Sequence, residues 1–119
     1  MPAPVRRRDD FAALSRSRAR GRSGPLRVTR ARPSPDRRVE QPHVAYAVPR
    51  AVGTAVVRNR IRRRLRAMIA DLGPDEGLTP GLYLVGVGAG AIELSPADLR
   101  RHLLAALAAA EDRPRRGRS

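Results

Sequence analysis

Gly53-Thr-Ala-Val-Val-Arg-Asn-Arg-Ile-Arg-Arg-Arg-Leu-Arg-Ala-Met-Ile-Ala-Asp-Leu72 places six arginines between Arg58 and Arg66, interleaved with apolar residues at helical spacing. At roughly 100° per residue, Val57, Ile61, Leu65, Met68, Ile69 and Leu72 fall in one stripe about 120° wide. Asn59, Arg63 and Arg66 point the opposite way, Arg60 and Arg62 take the flanks, and Arg58 and Arg64 border the stripe. The pattern predicts a helix with one buried face and an arginine-covered outer face. Neighbouring like charges on a helix repel by a few tenths of a kcal/mol per pair, roughly 0.2–0.5, and the first acid after Arg58 is Asp71. A solvated basic face is the plain reading of such a run; a polyanionic partner is the sharper one.

Upstream of this helix, His43 to Val48 is mostly apolar and reads as a central strand. Pro49 ends it, Val52-Gly53-Thr54 turns the chain, and Thr54 is placed to cap the helix. Leu26 to Arg32 alternates, with Leu26 and Val28 on one face and Arg27 and Thr29 on the other. That is a half-buried strand with a basic open face. Pro33 to Asp36 is a turn, and the loop runs on to about Pro42. Before these strands, Asp9 is a candidate N-cap for a helix from Asp10 to about Arg18, broken by Gly21 to Pro25. Phe11, the only phenylalanine, sits three residues before Leu14 on one face of that helix. It reads either as a core plug or as a base-stacking, cleft-lining side chain. Residues 1–8 form an extended basic arm.

Downstream, Leu72-Gly73-Pro74 stops the arginine-rich helix. Gly81 to Val87 is a short apolar strand, and Gly88-Ala89-Gly90 loosens the chain after it. Ser95-Pro96-Ala97-Asp98 starts a last helix, with Ser95 as cap and Asp98 reaching back. Leu99, Leu103, Ala106, Leu107 and Ala110 form its apolar stripe. Residues from Glu111 onward read as a disordered basic tail. The residues alone thus give helix, strand, strand, helix, strand, helix, with room for one more strand in the loops. This is a single α+β domain with helices against a small sheet.

Composition narrows the function. The 25 basic residues are all arginine, against 11 acids, for a net charge of +14. Lysine-free, alanine-rich usage reflects GC-rich codons, but codon bias does not set the ratio of arginine to acid. Such an excess favours polyanions, nucleic acid first and an anionic membrane surface second. The chain has no cysteine, which excludes disulfides and zinc-thiolate sites and fits a reducing, cytoplasmic setting. No apolar run approaches the roughly 20 residues of a membrane span, and there is no secretory apolar segment. His43 and His102 are lone histidines without a partner at ligand spacing. Gly86-x-Gly88-x-Gly90 lacks the strand-to-helix context of a dinucleotide motif. No nucleophile is paired with a base, so the sequence points to no catalytic and no metal-ligating residue.

The run from Val44 to Arg66, and within it Gly53-x-Ala55-Val56-x-Arg58-Asn59-Arg60-Ile61-x-Arg63-x-x-Arg66, resembles the "RNR" motif of the protein subunit of bacterial ribonuclease P. Arg6-Arg7-Arg8-Asp9-Asp10-Phe11 is similar to that family's N-terminal basic segment and first-helix phenylalanine. Leu82 to Val87 resembles its fourth strand and Ser95 to Leu107 its last helix. The resemblance implies an α-β sandwich of order αβββαβα, with a left-handed β-α-β crossover, like the second domain of ribosomal protein S5. One domain would span residues 1–119, with flexible basic tails over about 1–8 and 112–119.

The resemblance also implies an endoribonuclease whose RNA is the catalyst and removes the 5′ leader of precursor tRNA with Mg²⁺ bound mainly by the RNA. No organic cofactor is implied. The protein would bind ribonuclease P RNA, one protein per RNA, and contact the leader of the precursor tRNA. Arg58, Asn59, Arg60, Arg62, Arg63 and Arg66, with Arg50, match RNA-contacting positions. Arginine suits them because its planar fork meets phosphate bidentately. Phe11, Arg27 and Thr29 match positions of a leader-binding cleft between the first helix and the sheet. Ser15 stands where the family usually carries a second aromatic, so leader binding would lean on charge. Arg50 and Ala51 stand where two lysines are usual, and an arginine usual after the fourth strand is replaced around Gly88. Two other readings compete: a structural DNA- or RNA-binding protein with its basic helix in a groove, and a membrane-surface amphipathic helix whose apolar stripe would lie outside any core.

Overall fold

The computed structural model describes residues 2–117, with side chains described through Glu111. In chain order the elements are β1 (Ala3–Pro4), α1 (Arg8–Arg16), β2 (Ala19–Ser23), β3 (Leu26–Ala31), β4 (Pro42–Ala47), α2 (Ala55–Ala70), β5 (Gly81–Val87) and α3 (Pro96–Gly117). After the two-residue β1 the order is αβββαβα. The five strands form one mixed sheet, ordered β1-β4-β5-β3-β2. β4 and β5 are parallel and joined by α2, β3 is antiparallel to both β5 and β2, and β1 is parallel to β4.

Strand alternation sorts the side chains between two faces. Val28 lies opposite Val85, and Val44 opposite Tyr83. With Leu26 and Val87 they make one apolar face. α2 covers it with Ile61, Leu65 and Ile69, which are 1%, 0% and 2% exposed, and α3 with Leu99, Leu103 and Leu107. The 120° stripe read from the sequence is therefore the buried face of α2, with Val57 and Met68 at its margins. Thr54 caps α2, its side chain accepting from Val57 N at 3.3 Å. Ser95 caps α3 in the same way, accepting from Asp98 N at 3.1 Å.

The opposite sheet face is only partly covered. Leu82 packs there with Leu14 of α1 and with Val5, while Ala31, Ala45 and Leu84 are half-buried around them. A nine-residue α1 is too short to cover five strands, and the far half of this face stays open. Asp10, 1% exposed, ties α1 down: both its carboxylate oxygens accept from Arg37 of the β3–β4 loop.

Several expectations are corrected here. β2 occupies Ala19–Ser23, residues read as the stretch just past a helix and its breaker with no strand among them, and α1 stops at Arg16 rather than about Arg18. The one core-facing position of β2 is Gly21, which leaves no apolar alternation to read. A Cβ there would overlap Ala106 O and Ala110 N and come within 2.7 Å of Ala109 Cβ, so β2 and α3 meet backbone to backbone. Asp9 is not the cap of α1; Arg7 holds that position without a side-chain cap bond. The N-terminal arm is extended but pinned, with Ala3 and Pro4 paired to β4 and Val5 buried. Asp98 pairs with Arg101 at 3.0 Å. The backbone beyond Ala110 continues as helix to Gly117, and Glu111, expected in a tail, lies 3.5 Å from Arg30.

Candidate nucleic-acid interface

Burying the apolar stripe of α2 against the sheet forces the arginines outward. Asn59, Arg60, Arg63 and Arg66 are exposed, and Arg58, Arg62 and Arg64 are half-buried along the borders, as the wheel requires. Arg62 donates to Asn59 Oδ1 at 2.8 Å, one turn back. Arg66 lies over the ring of Tyr46 on β4, its Cζ 5.6 Å from the centroid. Among the described residues Arg60 and Arg63 make no hydrogen bond or ion pair within the chain. Arg50 is exposed in the short turn that leads into the helix. The first turn of α2 holds no acid and its last turn no base, so the helix dipole does nothing to offset the charge. Because the apolar stripe is consumed by the core, α2 cannot lie on a bilayer by that stripe, which removes the membrane-surface reading.

The expected cleft residues do not share one groove. Ser15, Arg27 and Thr29 do come together, lining an open groove of about 320 Å³ on the partly covered sheet face, floored by Leu84 and Gly86. Arg20 and Arg22 of β2 stand in the same groove, where the register sets Arg22 directly opposite Arg27 and Arg20 opposite Thr29. Like charges directly opposite on adjacent strands destabilise a sheet, so this arrangement too favours an anion between them. Sequence reasoning missed Arg20 and Arg22. The signal was the every-second-residue spacing of Arg18, Arg20 and Arg22, hidden by the absence of apolar residues between them.

Phe11 lies elsewhere. It is 46% exposed, which rules out the core plug, and it lines a second groove of about 590 Å³ with Pro4, Val5, Tyr46, Arg62 and Arg66. That groove wraps the sheet edge between α1 and α2. Tyr46 was not singled out from the sequence, although its parity with Val44 on β4 places it on the face toward α2. Its phenol is pushed above the ordinary tyrosine value by burial, and the Arg66 guanidinium pulls it back part of the way. His102 hydrogen-bonds Ser23 Oγ through Nδ1 at 2.8 Å, a structural role on the boundary of α3. Among the described residues no three His, Asp or Glu side chains converge as a metal site, and no helix is long and apolar enough to cross a membrane.

A small α+β sandwich that buries one stripe of a helix and holds a row of guanidinium groups outward, with no acid against them among the described residues, and that carries an open arginine-lined groove on its other face, is built as a nucleic-acid-binding protein. Similarity to known proteins makes this specific. The ribonuclease P family model matches residues 2–111. The ribonuclease P protein component of Erythrobacter litoralis is 32% identical over 111 residues, covering 93% of this chain and 88% of that one. That of Streptomyces bikiniensis is 40% identical, covering 87% of each. The same fold is found in a mutant RNase P protein of Staphylococcus aureus (TM-score 0.75, 17% identity, 91% of this chain and 87% of that one). It recurs in the RNase P protein of Thermotoga maritima (TM-score 0.69, 17% identity, 85% and 91%). The chain belongs to the ribonuclease P protein family, the protein component in maturation of tRNA 5′ ends.

Proposed function

We propose that the outer face of α2 docks on ribonuclease P RNA through Arg58, Asn59, Arg60, Arg62, Arg63 and Arg66, with Arg50 at its approach. The 5′ leader of precursor tRNA runs in the groove on the opposite sheet face, against Ser15, Arg20, Arg22, Arg27 and Thr29. The observation that carries this is the outward row of guanidinium groups with no acid between Arg58 and Asp71. Among the described residues no acid pairs with them, and phosphate would do so with paired hydrogen bonds.

In this reading the protein is an accessory subunit in the cytoplasm, one per RNA. The RNA carries the cleavage and holds the Mg²⁺ that directs water at the leader junction. The chain supplies positive charge that lets the two RNAs approach, so its effect is expected to be largest where metal is scarce. Leader binding rests on arginines because Ser15 stands where a second stacking ring would be. The test is cleavage of precursor tRNA by the cognate RNA at low Mg²⁺, with and without the chain. Stimulation lost in an Arg60→Gln/Arg63→Gln variant supports the reading; stimulation that survives intact at modest salt rejects it.

A further inference from the structure

The groove at the sheet edge is a different kind of place from the open face with its arginines. β1 pairs with β4 at Ala3 and Pro4 and Val5 N donates to Val44 O, so among the described residues the outer edge of β4 has no strand partner from Ala45 onward, where Ala45 and Tyr46 line the groove. One wall is aromatic and apolar, with Phe11 half exposed at its rim. The other wall is Arg62 and Arg66, one turn apart on α2. Tyr46 lies beneath Arg66 and holds its guanidinium over the ring. A guanidinium seated on an aromatic ring keeps its outer side free, and unstacked bases of RNA settle on such planes as they do on aromatic rings. The volume, about 590 Å³, is of the size that takes a small ligand.

We propose that this groove is a binding site for a single unpaired nucleotide of RNA. Its base lies between Phe11 and the Arg66–Tyr46 pair, and its phosphate meets Arg62. Tyr46 is the positioning residue, setting the plane of Arg66, while Phe11 and Arg66 touch the base. The site rests on the chain being an RNA-binding subunit but adds a recognition mode that charge alone does not give: a preference for a base over a bare backbone.

The test uses the full chain and two short ribose-phosphate probes of equal charge. One carries 2-aminopurine at its central position and is otherwise abasic; the other is wholly abasic. The wild-type chain is expected to bind the base-bearing probe about five- to a hundredfold more tightly and to quench its fluorescence. Tyr46→Phe keeps this preference, whereas Tyr46→Leu and Arg66→Lys lose most of it. Arg66→Lys keeps the charge on an exposed position, so the result does not depend on whether the leucine variant folds. Equal affinity of the wild-type chain for the two probes overturns the proposal, as does a preference that survives in Arg66→Lys. Binding of ribonuclease P RNA, measured on the same proteins, separates the two levels. A wild-type chain that holds that RNA without any base preference sinks the nucleotide site and leaves the arginine face standing. A chain that binds neither sinks both.

Discussion

Replacing Arg60 and Arg63 together by glutamine should make the free protein more stable and its RNA complex weaker. Both side chains are exposed and bonded to nothing within the described residues, so their removal opens no cavity and orphans no partner. Arg60 repels Arg63 and Arg64, and Arg63 also repels Arg66, three neighbouring pairs at helical spacing. At about 0.2–0.5 kcal/mol each at low ionic strength, the double variant gains roughly 0.6–1.5 kcal/mol, since glutamine and arginine differ little in helix propensity. For a chain of this size that is a rise in Tm of about 2–8 °C. Against ribonuclease P RNA, two lost phosphate contacts should flatten the plot of log K against log salt by about 1.4–1.8, with affinity falling most at low salt. Thermal unfolding and a salt series of filter-binding or anisotropy measurements read the two quantities. A variant that unfolds more easily would mean that these arginines hold the fold together. An unchanged salt slope would mean that they touch no phosphate. Either result refutes the assignment of this face.

Gly21→Ala should be severely destabilising, by about 3 kcal/mol or more, because the added methyl overlaps the backbone of α3 rather than a movable side chain; urea unfolding checks it. Asp10→Ala should cost about 1.5–3 kcal/mol, the worth of hydrogen bonds to a charged group, because the partner left behind, Arg37, is only partly buried and can turn to water. The same unfolding assay reads it, and a loss below about 1 kcal/mol would mean that the pair does not hold α1. Tyr46 should titrate above the usual value near 10, and Arg66→Gln should move it higher still by removing the one influence that lowers it. Tyrosine ring NMR distinguishes it from Tyr83. The sign for stability is set by the direction of that shift: above about pH 10 the unfolded chain has lost the phenolic proton that the folded chain still holds. Stability therefore falls as pH rises through that window. A Tyr46 that titrates below about 10 would contradict its burial.

What could be read in advance tracks where apolar side chains recur. α2, β3, β4, β5 and α3 each carry an apolar period, and each lies within a few residues of its expected place. β2 was invisible because its contribution to packing is an absence: Gly21 lets α3 approach, and no periodicity registers a missing side chain. β1 is held by backbone pairing and the single buried Val5, too little for a pattern. The arginine face was legible because one stripe of α2 had to be buried and the remainder is fixed by geometry. The grooves were not, because each joins residues far apart in sequence. Ser15, Arg22 and Arg27 meet through a register set by a hairpin, and Phe11 meets Arg66 around a strand edge. The match of Phe11 and Arg27 to one cleft placed both on the surface but could not show that two openings separate them.

The division of the sheet leaves two separate arginine-bearing surfaces on one small chain, the two that the proposed function assigns to different RNA segments. An apolar face must be covered, and α2 and α3 cover it, which leaves α2 with its arginines pointing away from the sheet. The other face needs less cover, because past Leu82 it carries one further large apolar group, the half-buried Leu84, and then Gly86, Arg27 and Thr29. A longer α1 would bury Arg27 and fill the groove; a shorter one would expose Leu14 and Leu82. The pairing of buried Asp10 with the half-buried Arg37 sets that compromise, anchoring the first turn of α1 while its last turn stops at the groove's rim. Electrostatic self-repulsion is thereby spread over two opposed surfaces. Under the proposed assignment each would be relieved by its own anionic strand, so that binding at one need not displace the other. Under the same assignment, charge placed on a single face would make the catalytic RNA and the leader compete for it.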